Sequence, residues 1–346
     1  MSLPRRPNMK FIINALLACS LLSSISYGGV DFSYAPPISP AVYAPAIPVT
    51  PSAPFAHNYE EDTEIVYDGL GLEYGQNWDE IASLELKNSL EYYDISDRFS
   101  KRLRYVQGKK IVFVLDDSGS MTNPSDDSPC GDNLRDEVYS GYQKFSRWDE
   151  LVQYVKAAIK IYGDLSCNGV DFYFLNRGYV KNVKAWDQIS ARFESGPYGL
   201  TPLSSTFEQI IADHAEAEHG LVINIITDGS PRSERYEDSI DVLGKKMRSA
   251  LRRYQDLYIN IRLCTDNDGV IKDYNTFDKA FPRTDVCDDY KSEYKEVLKA
   301  KKIKMTRGEY LLKSTIGAAD KTPGRDNLDK WDECTGFRRC LPGFFR

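Results

Sequence analysis

Residues 109–120 read KKIVFVLDDSGS. The run from Ile111 to Leu115 is apolar and rich in β-branched side chains, the pattern of a strand buried on both faces. Asp116 and Asp117 end it at once, and Ser118, Gly119 and Ser120 follow. A buried strand thus delivers acids and hydroxyls to one point on the surface. The stretch reads either as a plain turn or as the first loop of a ligand site.

Downstream the pattern alternates. SRWDELVQYVKAAIKIYG (146–163) has a Ser N-cap, helical apolar spacing and a Gly stop. VDFYFLN (170–176) and the more polar YVKNVKAW (179–186) read as strands. PLSSTFEQIIADHAEA (202–217) reads as a helix, GLVINIITDG (220–229) as a buried strand, and residues 235–254 as a helix. LYINIRLCTD (257–266) is a strand, and TFDKAF and DVCDDYKSEYKEVLKAKK (285–302) read as helical. Strands alternating with helices of this length imply an α/β fold. The expected architecture is a doubly wound, mostly parallel sheet flanked by helices, Rossmann-like in its winding.

Such sheets bind ligands at the carboxyl ends of their strands, where the strand order reverses. Three loops there carry polar residues: Asp116-Asp117-Ser118-Gly119-Ser120, Gly199-Leu200-Thr201-Pro202 and Thr227-Asp228-Gly229-Ser230. Asp116, Ser118, Ser120, Thr201 and Asp228 offer only oxygen, two anionic and three hydroxyl, the donor set of a hard divalent cation such as Mg²⁺ or Mn²⁺. Gly119 is expected to permit a tight path between the two serines. Each piece alone is also ordinary loop punctuation or an ordinary helix start.

D-x-S-G-S, then G-x-T-P-L, then T-D-G, in this order on alternating strands, resembles the von Willebrand factor type A domain. The resemblance covers roughly residues 105–300. It implies a metal-ion-dependent adhesion site in which Ser118 and Ser120 are direct ligands. Asp116, Thr201 and Asp228 would bind directly or through water. It further implies a partner protein whose exposed Asp or Glu carboxylate completes the coordination. Two departures stand out. A polar insertion, residues 121–145, separates the first loop from its helix and carries Asp126, Asp127, Asp132 and Asp136. It reads either as a flap over the site or as a tolerated surface loop. Leu200 stands where the family often has a second glycine.

The N-terminus reads as an export signal: Arg5, Arg6 and Lys10, the apolar run FIINALLACSLL (11–22), then small residues to Gly28. Leu16-Leu17-Ala18-Cys19 also resembles a bacterial lipobox. Residues 29–56 hold seven prolines between Pro36 and Pro54 and read as an extended tether. Residues 57–104 begin acidic and continue as one or two helices packing on the domain at 105–302, and residues 303–346 read as a C-terminal extension. With Cys19 set aside, six cysteines remain, an even number, as disulfides require. The organisation is that of a secreted, cell-surface or periplasmic head, lipid-anchored if Cys19 is modified; a cytoplasmic chain is the alternative.

The functional expectation is a non-catalytic, cation-dependent protein-binding domain. A net charge of −7 argues against a nucleic-acid surface, and a membrane enters only through an N-terminal anchor. An intracellular scaffold in a multiprotein complex is the first alternative and an Mg²⁺-dependent hydrolase the second. Against an enzyme stand Ser118 where a D-x-D phosphatase loop needs Asp, the lack of a G-x-S-x-G elbow or a Walker loop, and only three histidines, His57, His214 and His219.

Overall fold

Strand β1, Lys110–Leu115, lies inside a six-stranded sheet, with every residue from Ile111 onward buried. The computed structural model describes residues 82–125, 145–215, 217, 220–234, 237–323 and 327–331, all within the unit Leu72–Arg346. The signal, the tether, Cys19, His57, His219, residues 126–144 and the last fifteen residues lie outside them.

The other strands are β2 (Val170–Phe174), β3 (Gly178–Val183), β4 (Leu221–Thr227), β5 (Leu257–Leu263) and β6 (Thr284–Cys287). Their order is β3-β2-β1-β4-β5-β6. All neighbours are parallel except β2 and β3, so β3 is an antiparallel edge strand and the most polar of the six. The chain builds outward from β1 to one side, then returns to add β4 on the other. The strand order therefore reverses between β1 and β4, and a crevice opens there at the carboxyl ends.

Period-two alternation divides β1 between two cores. Ile111, Phe113 and Leu115 enter one, Val112 and Val114 the other. The first core is covered by helices α1 (Leu84–Tyr92), α2 (Asp97–Ser100) and α3 (Arg147–Tyr162), with Phe113 stacked on Phe172 at 5.4 Å. The second is covered by α4 (Leu203–Asp213), α5 (Ile240–Arg253) and α6 (Asp268–Ala280). The fold is a mixed, mostly parallel α/β sheet flanked by helices, as the alternation implied.

Two segments differ from the sequence reading. Residues 285–302, read as one helix, begin as strand β6 and become helix α7 only at Tyr290–Lys301. Three residues of strand ahead of a long helical run carry too little pattern to show. Residues from 303 onward, read as an appendage, supply helix α8, Arg307–Ile316, which is buried on all sides from Gly308 to Ile316. The reason lies in the sheet. Asn224 and Asn260 are partners across β4 and β5, and the Asn260 amide donates to Asn224 Oδ1 at 2.9 Å and to the Thr315 carbonyl at 2.6 Å. Ala318 N returns a bond to Asn260 Oδ1. Helix α8 and the turn after it thus satisfy the buried Asn260 amide and cannot be stripped away without orphaning it. Leu312, fully buried, reports on this. Leu312→Ala is expected to cost about 2–5 kcal/mol in urea denaturation, the range for a large core deletion; a cost under about 0.5 kcal/mol would mean that α8 is a detachable appendage.

The three described cysteines outside the leader, Cys167, Cys264 and Cys287, are free thiols, so the disulfide expectation is not met for them. Cys264 and Cys287 are core residues in the first core.

Candidate metal centre

Asp116 continues β1 by one bond, its N–H donating to the Ile226 carbonyl at 3.0 Å, and its side chain is then fixed from both sides. Oδ1 accepts from Ser118 N at 2.9 Å and Oδ2 from Thr227 Oγ1 at 2.5 Å. Ser118 Oγ lies 3.1 Å from Ser120 Oγ, and Ser120 Oγ donates to Asp228 Oδ1 at 2.6 Å. Asp116, Ser118, Ser120, Thr227 and Asp228 thus form one hydrogen-bonded string across the ends of β1 and β4. Asp116, Ser118, Thr227 and Asp228 are buried, while Ser120 is exposed and forms the mouth.

The third loop is tied in by backbone. Gly119 N donates to the Gly199 carbonyl at 3.2 Å and Tyr198 N to the Asp117 carbonyl at 2.7 Å. Gly199 has φ +92, and a Cβ there would meet Asn176 Oδ1 at 2.4 Å, so glycine is required. Gly119, expected to permit a tight path between the serines, has no left-handed φ, and a Cβ there would meet only the Gly199 carbonyl at 3.9 Å. Thr201 is buried beside this loop, its N–H and carbonyl both paired with Arg232. Its hydroxyl is not part of the string, so the structure gathers four of the five expected residues by direct bonds and sets the fifth on the adjoining loop.

Asp117 has a different task. Its Oδ1 accepts from Asn176 N at 2.8 Å and Asn176 Nδ2 at 3.0 Å, and Arg177 Nε stands 3.2 Å from Oδ2. It clamps the β1 loop to the end of β2 and faces away from the string. Arg177 lies between the rings of Trp148 and Tyr198, 5.0 and 4.8 Å from their centroids, and stiffens the loop that leads to Thr201.

Two charges define the electrostatics. Burial first, and then the nearby Asp228 carboxylate, push the Asp116 carboxyl up to about 6. Arg147, the first residue of α3, places Nη1 2.7 Å from Asp228 Oδ2. Sequence reasoning singled out neither Arg147 nor the direct Thr227–Asp116 bond. Thr227 stood inside the T-D-G motif, whereas Arg147 has only the signature of an ordinary residue after an N-cap serine.

Chemically the donors are all oxygen, two of them carboxylates held close enough to raise a pKa, which fits a hard divalent cation. Asp116, Ser118, Ser120 and Asp228 would hold it, and Thr201 lies on the adjoining loop. His214 lies elsewhere, 3.3 Å from Asp171, and takes no part. No family model matches the chain, and no curated protein matches it closely enough to be called a relative.

Proposed function

We propose that this chain is a von Willebrand factor type A-like module that binds a protein partner through a divalent cation, Mg²⁺ or Mn²⁺, and has no catalytic activity of its own. The observation that carries the reading is the hydrogen-bonded string Asp116–Ser118–Ser120–Asp228 at the β1/β4 reversal. With two carboxylates the ion is neutralised on paper, and the remaining ligands are neutral hydroxyls and water. It stays electrophilic and takes an Asp or Glu carboxylate from outside. The string holds no histidine base, His214 is remote, and the one carboxylate that Ser120 meets is already held by Arg147. The N-terminal signal and tether, if used as their sequences imply, would present the module outside the cell.

Calorimetric titration of Mn²⁺ into the full chain tests the reading. Ser118→Ala, which removes one hydroxyl and leaves both carboxylates, is expected to weaken Mn²⁺ binding about tenfold or more, a loss of roughly 1.4 kcal/mol or above. Equal affinity in both proteins refutes the ligand assignment. A Mn²⁺-dependent release of phosphate from p-nitrophenyl phosphate, abolished by Ser118→Ala, would replace the binding module with a hydrolase.

A further inference from the structure

The guanidinium of Arg147 sits where a cation-binding string would offer only oxygen. Its side chain is 13% exposed and the Asp228 carboxylate 0%. Asp228 Oδ1 takes Ser120 and Oδ2 takes Arg147, so both oxygens are engaged. Arg147 Nη2 reaches Thr265 Oγ1 at 3.4 Å, beyond the end of β5.

The backbone beneath Arg147 is fixed. The two ends of the insertion pair at its neck, with Ser125 N donating to the Phe145 carbonyl at 2.9 Å and Arg147 N to the Asn123 carbonyl at 3.0 Å. Pro124 and Ser146 form an antiparallel bridge between those bonds. Ser146 and Asp149 close a capping box around the first turn of α3. The arginine is therefore seated by two independent devices, and its reach to Asp228 is built in.

We propose that Arg147 is an internal counter-cation that competes with the divalent cation for Asp228 and keeps the affinity of the site low. The inference rests on the assignment of Asp116, Ser118, Ser120 and Asp228 to a cation. The guanidinium is charged at every physiological pH, so the charge the site offers falls from two negatives to a net one. It also lies within hydrogen-bonding distance of Asp228, and so within roughly 5 Å of any ion sharing that carboxylate, where little water intervenes to screen the repulsion. Occupancy and the ion pair then weaken one another. An ion bound at Asp228 would have to share it with a guanidinium whose backbone the helix start and the neck of the insertion hold in place.

The test is calorimetric titration of Mn²⁺ into the full chain at pH 7.5 for the wild type, Arg147→Gln and Arg147→Lys. Arg147→Gln keeps hydrogen-bonding donors without charge and is expected to bind Mn²⁺ about tenfold more tightly or better. Arg147→Lys keeps the charge and is expected to stay within about threefold of the wild type. In EDTA, Arg147→Gln is expected to melt below the wild type, because Asp228 loses its counter-charge. Arg147→Ala gives the same reading should the Gln variant fail to fold. Weak binding in the wild type that tightens about tenfold or more in Arg147→Gln supports the proposal. Equal or weaker binding in Arg147→Gln overturns it and makes Arg147 a positioning residue for Asp228. If no variant binds Mn²⁺, the cation assignment itself has failed, and this inference falls with it.

Discussion

Alanine in place of Arg262 is expected to be among the most damaging single substitutions in the chain, at about 3–5 kcal/mol, the cost of leaving one partner of a buried ion pair alone. Arg262 lies on β5 with 3% exposure and pairs with Glu150 of α3. Its Nε donates to Tyr310 Oη at 3.1 Å, and its guanidinium lies 4.1 Å from the Tyr154 ring centroid and 5.0 Å from that of Tyr310. One side chain thus joins the sheet, α3 and α8. Its removal strands Glu150, which is buried and whose other oxygen accepts from Ser125 at the neck of the insertion. The double variant Glu150→Leu/Arg262→Met, which removes both charges and keeps the volume, is expected to lose less than Arg262→Ala. Urea denaturation decides it: a single-variant loss below about 1 kcal/mol would show the pair to be solvated and incidental.

The second large effect is pH-dependent. The Asp116 carboxyl is raised from 3.8 in the unfolded chain to about 6 in the folded one. Between those values the folded chain keeps a proton that the unfolded chain has lost. The stability of the metal-free protein therefore falls as pH rises through that window, and the penalty is complete above it. About two pK units correspond to roughly 3 kcal/mol. Asp116→Asn removes the penalty. The amide can still accept from Ser118 N, and Thr227 Oγ1 can turn to accept from it while donating to the Gly229 carbonyl, 3.2 Å away. In EDTA at pH 7.5 the Asn variant is expected to be more stable than the wild type, and the gap should close as pH is lowered towards 4. The same variant is expected to lose its response to Mg²⁺. A variant less stable than the wild type at pH 7.5 in EDTA would show that Asp116 carries no buried-charge penalty.

Much of this was legible in the chain. The runs ending at Leu115, Thr227 and Leu263 are central strands because both of their faces are covered; β1 shows as an unbroken apolar run, and β4 and β5 as β-branched runs interrupted only by Asn224, Asn260 and Arg262. That Asp116, Ser118, Ser120 and Asp228 come together was legible as a spacing, D-x-S-G-S ahead of T-D-G, because the loops after β1 and β4 become neighbours once the order reverses. What could not be read is what tertiary packing decides. Helix α8 carries Glu309, Lys313, Ser314 and Thr315, which read as an exposed face, yet all four are buried, and Lys313 lies 3.2 Å from Glu293. Strand β6 is too short to outweigh the helical run after it. Asp116 and Asp117 are equivalent letters in sequence, yet the pleat turns one into the string and the other onto Asn176 and Arg177. Arg147 is silent in sequence because its meaning comes from Asp228, 81 residues away.

Thermal melting of the full chain in EDTA, Mg²⁺ and Mn²⁺, for the wild type and Asp228→Ala, tests the central claim most directly. A ligand that binds only the folded state raises stability by RT ln(1 + [L]/Kd). The expected result is a rise in Tm with either metal in the wild type, growing with concentration, and none in Asp228→Ala. An equal rise in both proteins, or none in the wild type up to tens of millimolar metal, would contradict a cation site at Asp116, Ser118, Ser120 and Asp228.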